Sequence, residues 1–282
     1  MIRRAGPGDE ARLEVFLSCY PASSMFLRGN LAAHGLEDGE SLHATSYHLW
    51  PAEGPIRAVL GLTRGGMVLC QFGAAPEAMS PLLVALRGQQ VTGFSGDDAQ
   101  TKALIAALGF TASDFRMNEA EPLFHLDLAQ LQGGGDMIRP PNPGDLPLLA
   151  DWLRTYLIET GLGLDSPGGT VEERAERAIS AGQLRFLLRE GQPVAMAAVN
   201  ARAGTSVQVG GVFVPPAARN RGLGRAVTRA LLAETRAKGT TEAVLFSNNE
   251  AASQAYRSIG FTEVGSYRIA FLHTPRVVGD VA

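Results

Sequence analysis

The chain is poor in the features that mark several protein classes. Its 282 residues include two cysteines, Cys19 and Cys70, far apart and in no C-x-x-C pair. Neither a disulfide framework nor a thiolate metal site is suggested, and free buried thiols in a reducing compartment are the expectation. Excess charge is also lacking: 25 Lys and Arg stand against 28 Asp and Glu, a net −3. No overall basic field draws nucleic acid or an anionic membrane, so any anion site must be local. No apolar run approaches a membrane span, and Met1-Ile2-Arg3-Arg4-Ala5-Gly6-Pro7 leads into no signal-peptide core. The five histidines (His34, His43, His48, His125, His273) show no metal spacing, and no metal is expected. The expectation is a soluble, cytoplasmic chain with no nucleic-acid or membrane partner, monomeric or homodimeric. Apolar content of 45% and charged content of 19% are globular values, at a length that allows one large domain or two ordinary ones.

What the chain does contain is an internal echo. Met1-Ile2-Arg3-Arg4-Ala5-Gly6-Pro7-Gly8-Asp9 is answered by Met137-Ile138-Arg139-Pro140-Pro141-Asn142-Pro143-Gly144-Asp145. Each reads as a short strand, a Pro-Gly-Asp turn, and a helix with the aspartate as N-cap. Phe94-Ser95 to Leu108-Gly109-Phe110-Thr111 likewise parallels Phe246-Ser247 to Ile259-Gly260-Phe261-Thr262. Two copies of one mixed α/β fold are indicated, 1–130 and 137–282, joined by a glycine-rich linker at 131–136. Periodicity places helices near 8–20, 23–34, 76–87 and 97–108 in the first copy, with strands near 42–49, 56–63, 66–73, 90–95 and 122–128. The second takes helices near 144–158, 170–181, 222–238 and 248–259, and strands near 184–190, 193–201, 206–214, 242–246 and 262–272. Leu188 to Pro193 signals a hairpin turn.

The stretch with most chemistry runs from Val207 to Ala226. A β-branched apolar run (Val207, Val209, Val212, Phe213, Val214) stops at Pro215-Pro216, which cannot donate to a ladder. Arg219-Asn220-Arg221-Gly222-Leu223-Gly224-Arg225 follows, and a helical stripe of Leu223, Val227 and Leu231 begins there. A strand, a basic glycine-bearing turn and a helix start make an anion site, since the first-turn N–H groups and the helix dipole converge on one spot. Gly222 and Gly224 let an anion approach the backbone, and Gly210-Gly211 suits a bulge that splays two strands.

Arg219-x-x-Gly222-x-Gly224 after a strand ending Val-Phe-Val-Pro resembles the pyrophosphate-binding motif of the GNAT-type N-acetyltransferases. The resemblance implies acetyl-CoA as co-substrate, with Arg219 to Arg225 around its pyrophosphate and the backbone of Val212, Phe213 and Val214 along its pantetheine arm. Asn249-x-x-Ala252-x-x-x-Tyr256-x-x-x-Gly260-Phe261 is similar to the second block of that family. There the asparagine contacts the cofactor, and the tyrosine hydroxyl is the general acid for the leaving thiolate, a task that suits a phenol at neutral pH. The implied fold is two GNAT-like domains in tandem, each a mostly antiparallel twisted sheet flanked by helices. The implied reaction is direct acetyl transfer to a primary amine of a small molecule or peptide. The first copy has Gly73-Ala74-Ala75-Pro76-Glu77-Ala78-Met79 where the second has its arginines and glycines, so its cofactor site is expected to be lost.

Other readings of the same residues compete. Ser247-Asn248-Asn249-Glu250 has the form of a capping box headed by Ser247, so Asn249 could simply help start a helix. Tyr256 could be an ordinary core tyrosine, and Arg219 to Gly224 an exposed turn. No general base stands out: Gln208 cannot serve, and a water relayed by Glu159 or Glu173 competes with both being solvated helix faces. Gly222-x-Gly224-x-x-Val227 fails the dinucleotide fingerprint at its third glycine, and Thr92 to Asp97 fails the nucleophile elbow at Asp97. A non-catalytic acyl-CoA-binding sensor or scaffold is the rival from another class.

Overall fold

The computed structural model describes residues 1–36, 39–73, 80–164 and 168–279. The first half runs β1 (Arg3–Arg4), α1 (Glu10–Ser18), α2 (Met25–His34), β2 (Thr45–Trp50), β3 (Ala58–Thr63), β4 (Met67–Phe72), α3 (Ser80–Val84), β5 (Gln90–Asp97), α4 (Asp98–Ala107) and β6 (Phe115–Asp127). The second repeats that order: β7 (Ile138–Arg139), α5 (Leu146–Glu159), α6 (Val171–Ala181), β8 (Leu184–Arg189), β9 (Gln192–Ala203), β10 (Ser206–Phe213), α7 (Leu223–Ala237), β11 (Glu242–Phe246), α8 (Glu250–Arg257) and β12 (Thr262–Val277). The expected start of the third helix, near residue 76, lies outside the described residues, as does Ala74 to Met79 of the compared turn.

Two compact units result, Met1–Glu121 with Gly265–Ala282, and Pro122–Val264. In the first, the strand order is β1-β2-β3-β4-β5-β12, antiparallel except for β4 with β5. In the second it is β6-β11-β10-β9-β8-β7, antiparallel except for β10 with β11. The compact units thus differ from a sequential division at 131–136, because the halves exchange their last strands. Leu123 to Asp127 of β6 pair with β11, and Tyr267 to Val277 of β12 pair with β5. An alternating pattern fixes which face of a strand is buried and says nothing about which sheet receives its edge. The pattern also hid the first seven residues of β6, whose polar Arg116 to Glu121 and following Pro122 read as loop.

Each sheet buries both faces. In the second unit, Val207, Val209, Ala243, Leu245, Phe124 and Leu126 pack under α7 and α8 with Val227, Leu231 and Tyr256. On the opposite face Phe186, Met196 and Phe213 meet Trp152 and Leu149 of α5 and Ala175 of α6. Arg185 of β8 grips Glu234 of α7 with two bonds, at 2.8 and 2.7 Å, which fixes the helix to the sheet. The expected hairpin turn sits at Glu190-Gly191, both left-handed (φ 51° and 79°), the geometry that matches strand twist.

Three expected caps are corrected. Asp9 and Asp145 each precede a helix yet accept no N–H of that helix, taking instead the backbone N–H three residues before, of Gly6 and of Asn142. Each also takes both terminal nitrogens of the arginine six residues before it: Arg3 at 2.6 and 2.7 Å, Arg139 at 2.6 and 2.9 Å. A bidentate charged pair outweighs one backbone bond, and it pins each half's first strand to its first helix. Ser247 does not start α8. Asn249 does, its side-chain oxygen accepting from the Ala252 N–H at 2.9 Å, while the Ser247 hydroxyl donates to the Asn249 carbonyl. The expected burial of both thiols holds for Cys70 alone, since Cys19 is exposed. Burial pushes the Cys70 thiol up to about 12, so it is no nucleophile at neutral pH. Among the described residues no helix is long and apolar enough to cross a membrane, and no group of three His, Cys, Asp or Glu could hold a metal ion.

Candidate active site

In the second unit β10 and β11 run parallel only through Ser206–Gln208 against Glu242–Val244. No ladder pair joins them further on, although β10 continues to Phe213 and β11 to Phe246. The cause lies on the other side of β10. Its register against β9 slips after Gln208 and again between Gly210 and Phe213, and Gly211 takes φ 58°. Two irregularities in six residues twist the strand away from β11, leaving a wedge with backbone groups on its edges.

The turn expected to hold an anion closes the end of that wedge. Asn220 (φ 62°) and Gly222 (φ 70°) are both left-handed, with Arg221 between them, so successive N–H groups turn inward as a nest. The N–H groups of Arg221, Gly222, Leu223 and Gly224 find no acceptor among the described residues, as the start of a helix requires. A Cβ built on Gly224 would lie 3.6 Å from Val214 Cγ2 and 3.8 Å from Val212 Cγ1, so the helix start and the strand expected to flank a pantetheine arm meet there. Val212, Val214, Leu223, Ala252 and Tyr256 share one apolar cluster. Tyr256 is 7% exposed, with its ring 6.4 Å from Phe124 and 6.1 Å from Phe261.

Several candidate residues have other commitments. Arg219 donates Nε to the Val214 carbonyl (3.0 Å) and pairs with Glu159 at the end of α5 (2.6 Å), and its guanidinium lies 5.9 Å from the Phe213 ring. It ties the turn to the far face of the sheet, so the exposed cations left for an anion are Arg221 and Arg225. Phe213 belongs to the α5 core by its side chain, which leaves its backbone alone for a ligand. Glu173 accepts the Thr170 N–H (2.8 Å) in the box that starts α6. Both glutamates considered as relays are therefore engaged in structure. Asn249 spends its oxygen on the cap and its nitrogen on Asn248 (2.8 Å).

The first unit shows the same framework closed. Its parallel pair is continuous from Met67 to Cys70 against Gly93 to Gly96. Beyond it, Gln100 Oε1 accepts the Phe72 N–H at 2.7 Å, and Gln100 Nε2 donates to the Phe72 carbonyl at 3.2 Å. Gln100 is the third residue after the cap Asp97, whose side chain accepts its N–H at 3.1 Å. Ala252 stands third after the cap Asn249. One side chain thus seals the strand edge in one copy, and its replacement by a methyl leaves the other unsealed. The sequence carried this signal in the aligned Phe94 and Phe246 segments, but it takes the cap geometry to see it.

Residues 182–263, which contain the wedge, the turn and α8, match the family model of the acetyltransferase (GNAT) domain. The chain carries a GNAT domain. Among solved structures it is similar to a Drosophila protein (TM-score 0.67, 14% identity, 96% of this chain and 98% of that one). It is also similar to an acetyltransferase of the GNAT family from Colwellia psychrerythraea (0.54, 14%, 96% and 99%) and to a tandem GNAT protein of the clavulanic acid biosynthesis pathway (0.54, 13%, 100% and 99%). At these identities the likeness is one of fold, and it extends over both halves. No curated protein matches the chain. The family match thus lies within the unsealed copy, and the first copy repeats the same order of elements.

Proposed function

We propose that the second unit is an acetyl-CoA-dependent N-acetyltransferase acting on a primary amine of a small molecule or peptide. The observation that carries this reading is the wedge between β10 and β11, left open at the nest of Asn220 to Gly224 while the sister copy is sealed. Acetyl-CoA suits the residues present: a diphosphate needs convergent N–H donors and cations, and Gly222, Leu223, Gly224, Arg221 and Arg225 supply them. The extended backbone of Val212 to Val214 offers donors and acceptors to an amide-bearing arm. Arg219 and Asn249 serve by holding the turn and by starting α8. Bound acetyl-CoA would supply the acetyl group as a thioester.

The chain's own part is then to align and to move protons. The N–H of Val212, at the parted strand, polarises the carbonyl under attack, and a fixed donor in a dry site costs no reorganisation. Tyr256, on the helix that borders the same cluster, gives its proton to the departing thiolate. Holding two reactants in one wedge supplies further acceleration through proximity. Calorimetry with coenzyme A tests the site. Wild type should bind one equivalent per chain. Gly224→Glu, which sets a carboxylate among the phosphate-facing donors, should weaken binding by roughly 100-fold or more. Unchanged binding by the variant, or two equivalents in the wild type, would refute the assignment. Binding without thiol release in the presence of any amine would make the protein an acyl-CoA sensor.

A further inference from the structure

Among the described residues four buried side-chain polar atoms have no hydrogen-bond partner, and one belongs to the strand that opens the wedge. It is Oε1 of Gln208. The residue is 2% exposed, and its Nε2 donates to the carbonyl of Val209, the next residue, at 2.8 Å. Gln208 forms the last rung of the parallel ladder, opposite Val244, directly before β10 slips and parts from β11. Val207 and Val209 face the α7 and α8 core, so Gln208 faces the α5 and α6 side. Two residues on, Gly210 bares the same face. A Cβ there would fall 2.0 Å from Asn200 Nδ2, so an exposed carboxamide lies where a side chain would be.

A comparison inside the molecule indicates that this glutamine is not there for packing. The fold satisfies a buried glutamine where one is structural. Gln71 of β4 makes the same local bond, Nε2 to the Phe72 carbonyl at 3.1 Å, and its Oε1 accepts the Ser23 hydroxyl at 2.7 Å. An unmatched buried oxygen costs about 1–3 kcal/mol, and a leucine would have avoided it.

Resting on the transferase reading above, we propose that Gln208 binds the acceptor: its carboxamide oxygen takes an N–H of the amine to be acetylated. The oxygen is uncharged, as is the neighbouring Asn200 amide. A carboxylate in this place would favour the ammonium form, which cannot attack, whereas a neutral acceptor orients an N–H without that bias. The wedge is thereby matched to an N–H donor and against acceptors without one.

The test uses the full-length protein, coenzyme A calorimetry, and thiol release from acetyl-CoA with glycine, lysine, spermidine, glucosamine and tri-alanine. The fastest amine is then taken to Gln208→Met, which keeps length and removes the oxygen, and to Gln208→Asn, which keeps the amide and withdraws it. For Gln208→Met the expected result is an unchanged or raised melting temperature, coenzyme A affinity within twofold, and an acceptor KM raised about tenfold. Gln208→Asn should raise the acceptor KM as well. A lowered melting temperature with an unchanged acceptor KM would overturn the proposal and make Gln208 structural, as would failure of both variants to fold. Intact coenzyme A binding with no active amine in the panel would overturn it while leaving the cofactor site standing. Absent coenzyme A binding would instead defeat the transferase reading on which it rests.

Discussion

Glu121 gives the protein a titration that can be read in its stability. The carboxyl is 7% exposed, and burial, reinforced by the charge of Glu119, pushes it from 4.5 up to about 7. For an acid held above its unfolded value, the folded chain keeps a proton that the unfolded chain has released. The stability this contributes is complete below pH 4.5 and is lost as pH rises to 7. At 1.36 kcal/mol per unit the full loss is about 3 kcal/mol, of which about 2–3 kcal/mol falls between pH 5 and pH 8. Glu121→Gln removes the titration and keeps the shape, so its advantage over wild type should grow by that amount across the interval. In a chain of this size the melting-temperature difference should widen by roughly 5–10 °C. Glu234, held down to about 2 by Arg185, loses its contribution below pH 4.5 and leaves this window clear. Melting scans of both proteins at pH 5, 6, 7 and 8 decide the matter. Parallel lines for the two proteins would refute the reasoning, because the carboxyl would then be ionised at no cost in both states.

Two further outcomes bear on the candidate active site. Tyr256→Phe keeps the edge contacts with Phe124 and Phe261, so it should leave coenzyme A affinity unchanged and slow turnover by roughly 10–100-fold; full turnover would return Tyr256 to a core role. Ala252→Gln copies the seal of the first unit into the second, and calorimetry should show coenzyme A binding lost from a chain that still folds; retained affinity would show that Gln100 is not what closes its copy.

Element order was legible because both periodicities are strong and turn chemistry separates them. The stripe of Leu223, Val227 and Leu231 on α7 and the alternation along β10 each repeat at the spacing their backbone imposes. The exchange of β6 and β12 was not legible. A ladder is made by backbone groups that every residue carries, so Phe124 and Leu126 look the same whichever sheet accepts them. The helix caps failed for a related reason. Asp9, Asp145 and Ser247 have the right side chains at the right distance, but a side chain bonds to the best partner available. For the aspartates the best partner was a guanidinium six residues back. At the turn, glycine and arginine positions identified the anion site, while the diversion of Arg219 to Glu159, sixty residues away, depends on packing that no local pattern records.

The two copies together explain why an open wedge is informative. Parting β10 from β11 leaves edge N–H and C=O groups that a continued ladder would have paired, and unpaired backbone groups in an apolar setting are costly. The same sheet in the first unit avoids this by four rungs of pairing and one glutamine, with no change of fold. Closure therefore lies a single side chain away, yet the second copy forgoes it, bends β10 twice to stay open and keeps a partnerless oxygen at the fork. A fold that holds several unsatisfied groups at one point, beside a nest of free amides, has its lowest free energy when something else supplies the missing partners.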